Sequence, residues 1–311
     1  MVEFSPLGVD LFGEPIRRRP SSPVAVRFVM PPFSVLSARD GDWQERKRAW
    51  LSMGIRSEIG RKNGATFGAG LGIKLPDGTE SKTSIFDPVL TELIYRWFSA
   101  SGAQILDPFA GGSVRGIVAS CLGRKYWGGE LRLEQVEANR REAEELCPVN
   151  PPSYVCGDSM ETLAAAPDAD LIFSCPPYGD LEVYSDNPAD LSAMEWHAFV
   201  AAYKRIILRV CMKLRSDRFA CFVVGDFRDP RGFYRNFVSE TIAGFMDSGL
   251  KLYNEAILVT AVGSAAMRIT GQFNTSRKLC KTHQNILVFV KGDPRKATEA
   301  IKGDLGEEGE K

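Results

Sequence analysis

Apolar positions along the chain follow two alternating periods. Residues 84–98 (SIFDPVLTELIYRWF) place Val89, Leu93 and Trp97 four apart, which predicts a helix with Pro88 near its start. From residue 103 onward, short apolar runs alternate with longer amphipathic stretches. AQILDPF predicts a strand ending at Asp107, GGSVRGIVASCLG a loop opening a helix, and KYWGGEL a second strand ending at Glu130. RLEQVEANRREAEELC predicts a helix with Leu133, Val136, Arg140 and Ala143 on one side, stopped by Pro148. SYVCGDS and ADLIFS predict a third and a fourth strand, SAMEWHAFVAAYKRIILRVCMKL a long helix, and RFACFVVGDF a fifth strand. A helix around FVSETIAGFMDSG then leads to two closing strands, KLYNEAILVT and NILVFVKG. Such alternation predicts the α/β class: a doubly wound, mostly parallel sheet of seven strands with helices on both faces.

The flanks read differently. Residues 1 to about 30 are rich in proline and arginine (EPIRRRPSSP) and read as a loosely ordered arm. In the next segment, DWQERKRAWLSMGIRSEIGRKNGATFGAGLG, the first half is helical, with Trp43, Trp50 and Leu51 on one face. Its second half is glycine-rich and reads as flexible. The tail GDLGEEGEK is charged and reads as disordered. The expected organisation is an N-terminal arm and basic extension over 1–83, a core domain over 84–295 and a tail over 296–311.

Composition narrows the function. Lys+Arg and Asp+Glu balance at 39 each, so any contact with a polyanion requires a local basic patch. The seven cysteines form no C-x-x-C pair and read as reduced thiols of a cytoplasmic protein. His197 and His283 are the only histidines, which excludes a multi-histidine metal site, and no metal is expected. The longest uncharged run, Ala256 to Met267, has twelve residues and is too short to span a bilayer, so no membrane partner is expected.

Four polar signals end predicted strands: Asp107, Glu130, Asp158 and Ser174-Cys175. In open α/β sheets, ligands lie beyond the carboxyl ends of the strands. In DPFAGGSVRG, Gly111 and Gly112 permit a tight turn and close backbone approach at a helix N-terminus. Glu130 follows Asp107 by 23 residues, the place where a carboxylate holds a ribose diol in dinucleotide folds. Asp158 is a natural acceptor for an adenine amino group. A glycine loop alone discriminates little; with both acids it describes an adenosine-containing cofactor. In SCPPY, two prolines fix an extended chain, remove two N–H donors and leave carbonyl acceptors beside the flat face of Tyr178. That suits a planar base with an exocyclic amino group.

DPFAGGSVRG resembles the D-P-F-x-G-S/G-G-T cofactor motif of S-adenosylmethionine-dependent DNA amino-methyltransferases, the cytosine-N4/adenine-N6 type of bacteria and bacteriophages. SCPPY resembles their [DNS]-P-P-[YF] catalytic motif, here placed after the cofactor motif. Residues 84–98, RFACFVVGDFRD and HQNILVFVKGDPR are similar to further segments of that family, so the resemblance covers roughly 84–295. The segment at 33–62 is similar to methylase-like proteins carried by bacteriophages. The resemblance implies a Rossmann-like methyltransferase fold and S-adenosylmethionine as cofactor. It implies cofactor binding by Asp107, Pro108, Phe109, Gly111 and Gly112, with Asp107, Phe109 and Gly111 at the methionine moiety. Glu130 would then bind the ribose and Asp158 the adenine. Ser174, Cys175, Pro176, Pro177 and Tyr178 would form the target-base site, where hydrogen bonds to both amino N–H groups strengthen as positive charge develops. The nitrogen would attack the sulfonium methyl in line, on a base that has left the duplex or was never paired.

One position departs from the family: Cys175 stands where Asp, Asn or Ser is usual. Either Ser174 supplies the oxygen, or the weakly accepting thiol suffices. Alternatively, Cys175 is a nucleophile for carbon-5 methylation of cytosine, or the site binds without catalysing. The leading expectation is DNA methylation on an amino group, with RNA as the rival substrate. Two basic segments are expected to flank the nucleic acid: Arg46, Lys47 and Arg48 with Trp43 and Trp50, and the loop MRITGQFNTSRKLCKTHQ with Arg277 and Lys278.

Overall fold

The computed structural model describes residues 28–56, 73–74, 80–81, 86–179, 187–262 and 265–302. Residues 1–27 of the expected arm, much of the glycine-rich stretch and the tail beyond 302 lie outside the described residues. The chain divides into two compact units, Met1–Pro32 and Phe33–Lys311. The second unit takes in residues 33–56 of the extension as well as the expected core domain.

Strands β4 (Gln104–Asp107), β5 (Lys125–Glu130), β6 (Ser153–Cys156), β7 (Ala169–Ser174), β8 (Leu214–Val224), β9 (Lys251–Val259) and β10 (His283–Lys291) realise the seven predicted runs. An eighth strand, β1 (Val35–Ser37), comes from the extension and pairs in parallel with β9. The sheet therefore has eight strands where seven were expected, because three residues are too few to show alternation. Its order is β1-β9-β10-β8-β7-β4-β5-β6, with β10 antiparallel to both neighbours and the other pairs parallel. A separate two-stranded ribbon joins β2 (Ile73–Lys74) and β3 (Glu80–Ser81).

Central strands are covered on both faces, which is why they read as unbroken apolar runs. Leu171, Ile172 and Phe173 of β7 and Ala220 to Val224 of β8 are fully buried. On one face Phe222 and Phe289 pack under helices α6 (Trp196–Lys213) and α7 (Phe237–Asp247), with Phe245 stacked on Phe289 at 4.1 Å. On the other face, Tyr95 of α2 (Pro88–Phe98) meets Phe173 edge-on at 5.5 Å. Asp87 caps α2 by accepting from Val89 N at 2.9 Å and Leu90 N at 3.3 Å, and Pro88 occupies the first turn where no N–H is needed. The segment between β9 and β10, expected to be loop, contains helix α8 (Ala265–Ser276). Gly271 and the β-branched Ile269, Thr270 and Thr275 obscure it in sequence.

Helix α1 (Gly41–Leu51) carries the first basic segment. Arg46, one of the cations expected to flank the nucleic acid, donates from Nε to Glu92 Oε2 at 2.6 Å and from Nη2 to Glu92 Oε1. Lys47 pairs with Asp87 at 3.0 Å. Trp50 Nε1 donates to Glu92 at 2.8 Å, and Trp43, 2% exposed, donates to Asp87 at 3.2 Å. These side chains dock α1 onto α2, and Arg48 alone of the three cations is exposed. Glu92 is 1% exposed; burial pushes its carboxyl up, but the bonds and charge of Arg46, with Trp50 and Arg96, outweigh this and hold it below 4.5. Arg46→Ala should cost about 1.5–3 kcal/mol at neutral pH, the range for hydrogen bonds to a charged group. A depressed carboxyl contributes stability that is fully present above its unfolded value and lost as pH falls through the folded value. The wild-type advantage over Arg46→Ala, read from urea midpoints, should therefore shrink below pH 4.5.

Candidate active site

Neighbouring parallel strands bring their carboxyl ends to one edge of the sheet. Register pairs Asp107 with Gly128 and Glu130 with Cys156, while Leu106 lies opposite Ile172. Asp107, Glu130, the turn before Asp158 and Ser174 consequently share that edge.

Asp107 is completely buried. Its Oδ1 accepts from Phe109 N at 3.1 Å and from Ser174 Oγ at 2.5 Å. Its Oδ2 accepts from Arg115 Nε at 2.6 Å and Tyr126 OH at 2.7 Å. Arg115 belongs to helix α3 (Val114–Cys121), is 4% exposed, and also donates to the carbonyls of Phe109 at 2.7 Å and Ala110 at 3.0 Å. Burial opposes the Arg115 charge, but the Asp107 carboxylate more than offsets this and holds it protonated. Burial, then the charge of Asp107, pushes the Tyr126 phenol well up, so it remains a donor. The carboxylate expected at the methionine moiety thus sits beneath the glycine loop, engaged by four donors of the chain itself. It shapes the loop and ties it to Ser174.

Gly111 adopts φ +53°, a left-handed conformation that favours glycine. Its N–H donates to Glu130 Oε2 at 3.1 Å, and its carbonyl accepts from Asn139 Nδ2 at 2.7 Å. Gly112 follows it, half-buried, and Gly128 packs beneath: a Cβ there would lie 2.9 Å from Ala110 Cβ. Glu130 Oε1 accepts from Arg132 N at 2.9 Å. Helix α4 (Leu133–Leu146) supplies the second layer, with Gln135 Nε2 donating to Asn139 Oδ1 at 2.9 Å. Gln135 and Asn139 were missed in sequence; their signal is two amides four apart on the helix face that also carries Val136, Ala138 and Ala143. Asp158 caps helix α5 (Ser159–Thr162), accepting from Met160 N at 2.8 Å. Ser159 Oγ donates to the Pro108 carbonyl at 2.5 Å, joining the third strand end to the glycine loop. Phe109 is half-buried, 6.1 Å from the ring of Tyr203.

Ser174 is completely buried and donates a hydrogen bond to Asp107, whereas Cys175 is half-buried. Pro176 is buried, and Pro177 and Tyr178 are half-buried. The Tyr178 ring stands edge-on to Phe227 at 6.0 Å and Phe237 at 5.8 Å, and its hydroxyl accepts from Gln284 Nε2 at 3.1 Å. Trp196 closes the cluster, 5.8 Å from Phe227.

Numbered by the seven predicted runs, the sheet order is third-second-first-fourth-fifth-seventh-sixth, with the seventh reversed. This is the Rossmann-like methyltransferase fold. The chain matches no protein-family model and no curated protein sequence. Among solved structures it is similar to a protein assigned as an RNA methyltransferase from Pyrococcus horikoshii (14% identity, TM-score 0.49, 80% of this chain and 100% of that one). A methyltransferase from Pyrococcus furiosus matches at 14% identity and TM-score 0.45, over 80% of this chain and 96% of that one. TrmN from Thermus thermophilus matches at 14% identity and TM-score 0.46, with 68% of this chain aligned to only 50% of TrmN. The substrate does not follow from any of them.

Of the second basic segment, Arg277 is exposed, with its guanidinium 5.1 Å from the Phe273 ring, and Lys278 is half-buried. The Lys278 ammonium lies against Gly232, where a Cβ would come within 2.5 Å of it. Gly232 belongs to a segment sequence reasoning passed over, residues 228–235 (RDPRGFYR). The structure thus sets Lys278 against the 228–235 segment, and pairs Arg46 with Glu92 and Lys47 with Asp87.

Proposed function

We propose that this protein is an S-adenosylmethionine-dependent methyltransferase acting on an exocyclic amino group of cytosine or adenine in DNA. The observation that carries the reading is the hydrogen bond from Ser174 to Asp107, which joins the Pro-Pro-Tyr segment to the glycine loop through one buried carboxylate. Two motifs 67 residues apart in sequence thereby form a single site.

The residues present fit the cofactor. Left-handed Gly111 lets backbone approach a ligand closely, and Glu130 lies beside it with the two acceptor oxygens a ribose diol requires. Asp158 stands at the next strand end with a carboxylate for the adenine amino group. Pro108, Phe109 and Gly112 complete the wall. When bound, S-adenosylmethionine supplies an electrophilic methyl group on a sulfonium centre.

The chain's own task is to make a poor nucleophile attack. An amino lone pair delocalised into the base becomes available as its N–H groups are held by acceptors. Pro176 and Pro177 contribute carbonyl acceptors and no donors, and Tyr178 offers a ring held edge-on by Phe227 and Phe237. Of the Ser174-Cys175 pair, Cys175 is the residue with an accessible side chain, so the family's polar acceptor position is filled here by a thiol. Ser174 acts from behind, through Asp107.

Incubation with methyl-tritiated S-adenosylmethionine and unmethylated DNA is expected to transfer label to the DNA. Label in RNA alone would overturn the DNA substrate. Cofactor binding without label in either polymer would overturn the enzymatic reading.

A further inference from the structure

Residues 227–235 form a hairpin whose shape follows from its sequence. Asp229-Pro230-Arg231-Gly232 has Asp first, Pro second and Gly last, the preferences of a type I turn. Asp229 N donates to the Phe233 carbonyl and Gly232 N to the Asp229 carbonyl, each at 2.8 Å. An antiparallel bridge pairs Arg228 with Tyr234, and Arg235 N donates to the Phe227 carbonyl at 2.9 Å. The Asp229 side chain accepts from Phe233 N at 2.9 Å and pairs with Arg231 at 3.3 Å. The tip is therefore ordered by its own bonds, while Phe233 and Tyr234 are 68% and 47% exposed.

Two large aromatic rings exposed on one short hairpin are unusual for a soluble surface. Each is paired with a guanidinium: Arg228 lies 4.0 Å from the Tyr234 ring centre and Arg231 5.9 Å from that of Phe233. The same pairing recurs at Phe273 and Arg277, on the segment whose Lys278 contacts Gly232. Among the described residues of this stretch, cations outnumber carboxylates. Arg228, Arg231, Arg235, Arg277, Lys278 and Lys281 stand against Asp226, Asp229 and Glu255. The surface is continuous with the candidate base site, since Phe227 at the hairpin's root contacts the Tyr178 ring, and a Cβ on Gly225 would meet both Tyr178 and Lys281.

Resting on the reading of Tyr178 as part of a base site, we infer that this hairpin, with Phe273 to Lys281, is a stacking platform for an unpaired polynucleotide strand. Phosphates carry the charge that complements the arginines and lysines. Exposed rings select for bases whose faces are free, which a duplex hides and a single strand presents. The enzyme accordingly engages its target as a single or locally opened strand, guided past Phe233 and Tyr234 to Tyr178. Duplex DNA remains a substrate only where it opens.

The test is equilibrium binding by fluorescence anisotropy, without cofactor, of labelled single-stranded DNA, single-stranded RNA and duplex DNA of one length. Wild type should bind a single strand more tightly than duplex. The double substitution Phe233→Ala and Tyr234→Ala should weaken single-strand binding about 10–100-fold, the effect of removing base stacking. Arg231→Ala should lower the salt dependence by about one phosphate contact. Met212→Ala, at an exposed apolar position near the opposite end of β8, should change nothing. Duplex preferred over single strand, or unchanged affinity in the double variant, would overturn the platform. Comparing DNA with RNA names the strand that the platform serves. If strands bind as described but no methyl is ever transferred, the platform stands and the enzymatic reading falls.

Discussion

Asp107→Asn is expected to lower stability by about 3–5 kcal/mol, the cost of leaving one member of a buried ion pair without its partner. Arg115 is 4% exposed and its Nε lies 2.6 Å from the carboxylate, so its charge would have no nearby solvent to compensate the loss. Asparagine keeps the volume but offers an N–H₂ where Arg115, Tyr126, Ser174 and Phe109 N all donate. At least one of those donors must be left facing another. The glycine loop should loosen with it, because Arg115 also holds the carbonyls of Phe109 and Ala110. Urea denaturation should show the shift in midpoint, and calorimetric titration a matching loss of S-adenosylmethionine affinity. Ser174→Ala removes one donor and no charge, and should give a smaller effect of the same kind. A wild-type midpoint for Asp107→Asn would show that the carboxylate does not organise the loop.

Tyr178→Ala should act on the other substrate. The ring packs edge-on against Phe227 and Phe237, and removing one stacking ring costs about 1–3 kcal/mol per base. The expected result is a fall of about 10–100-fold in kcat/KM for nucleic acid, with affinity for S-adenosylmethionine unchanged. Tyr178→Phe keeps the ring, loses the bond from Gln284, and should stay close to wild type. Equal losses in both variants would assign the role to the hydroxyl. No loss in Tyr178→Ala would remove the residue from the site.

Much of this architecture was legible in the sequence, for a specific reason. Strands buried on both faces are continuous apolar runs, and a run such as ADLIFS stops where the chain must turn polar at the sheet edge. Strand ends, and with them Asp107, Glu130, Asp158 and Ser174, could therefore be located from hydrophobicity alone. What was not legible is pairing. A stretch such as ERKRAW shows charge but not partner, and Arg46 and Lys47 find theirs in Glu92 and Asp87, 46 and 40 residues on. Nothing local distinguishes those cations from Arg231 or Arg277, which remain exposed. The hairpin at 228–235 carries a readable turn signal, Asp-Pro-Arg-Gly, but exposure of Phe233 and Tyr234 depends on what packs over them. Likewise, the adjacent Ser174 and Cys175 are alike in sequence terms. Only the buried contact with Asp107 separates Ser174, which ties the loop, from the half-buried Cys175 beside it.

Under the proposed function, the atom of the base that receives the methyl group decides the mechanism. Unmethylated DNA incubated with the protein and trideuteromethyl S-adenosylmethionine would be digested to nucleosides and analysed by mass spectrometry, with Cys175→Ala in parallel. Amino-methylation requires a heavy methyl on the exocyclic nitrogen of cytosine or adenine, still formed by Cys175→Ala. A heavy methyl on the cytosine ring carbon, abolished by Cys175→Ala, would make the thiol a nucleophile and contradict the mechanism.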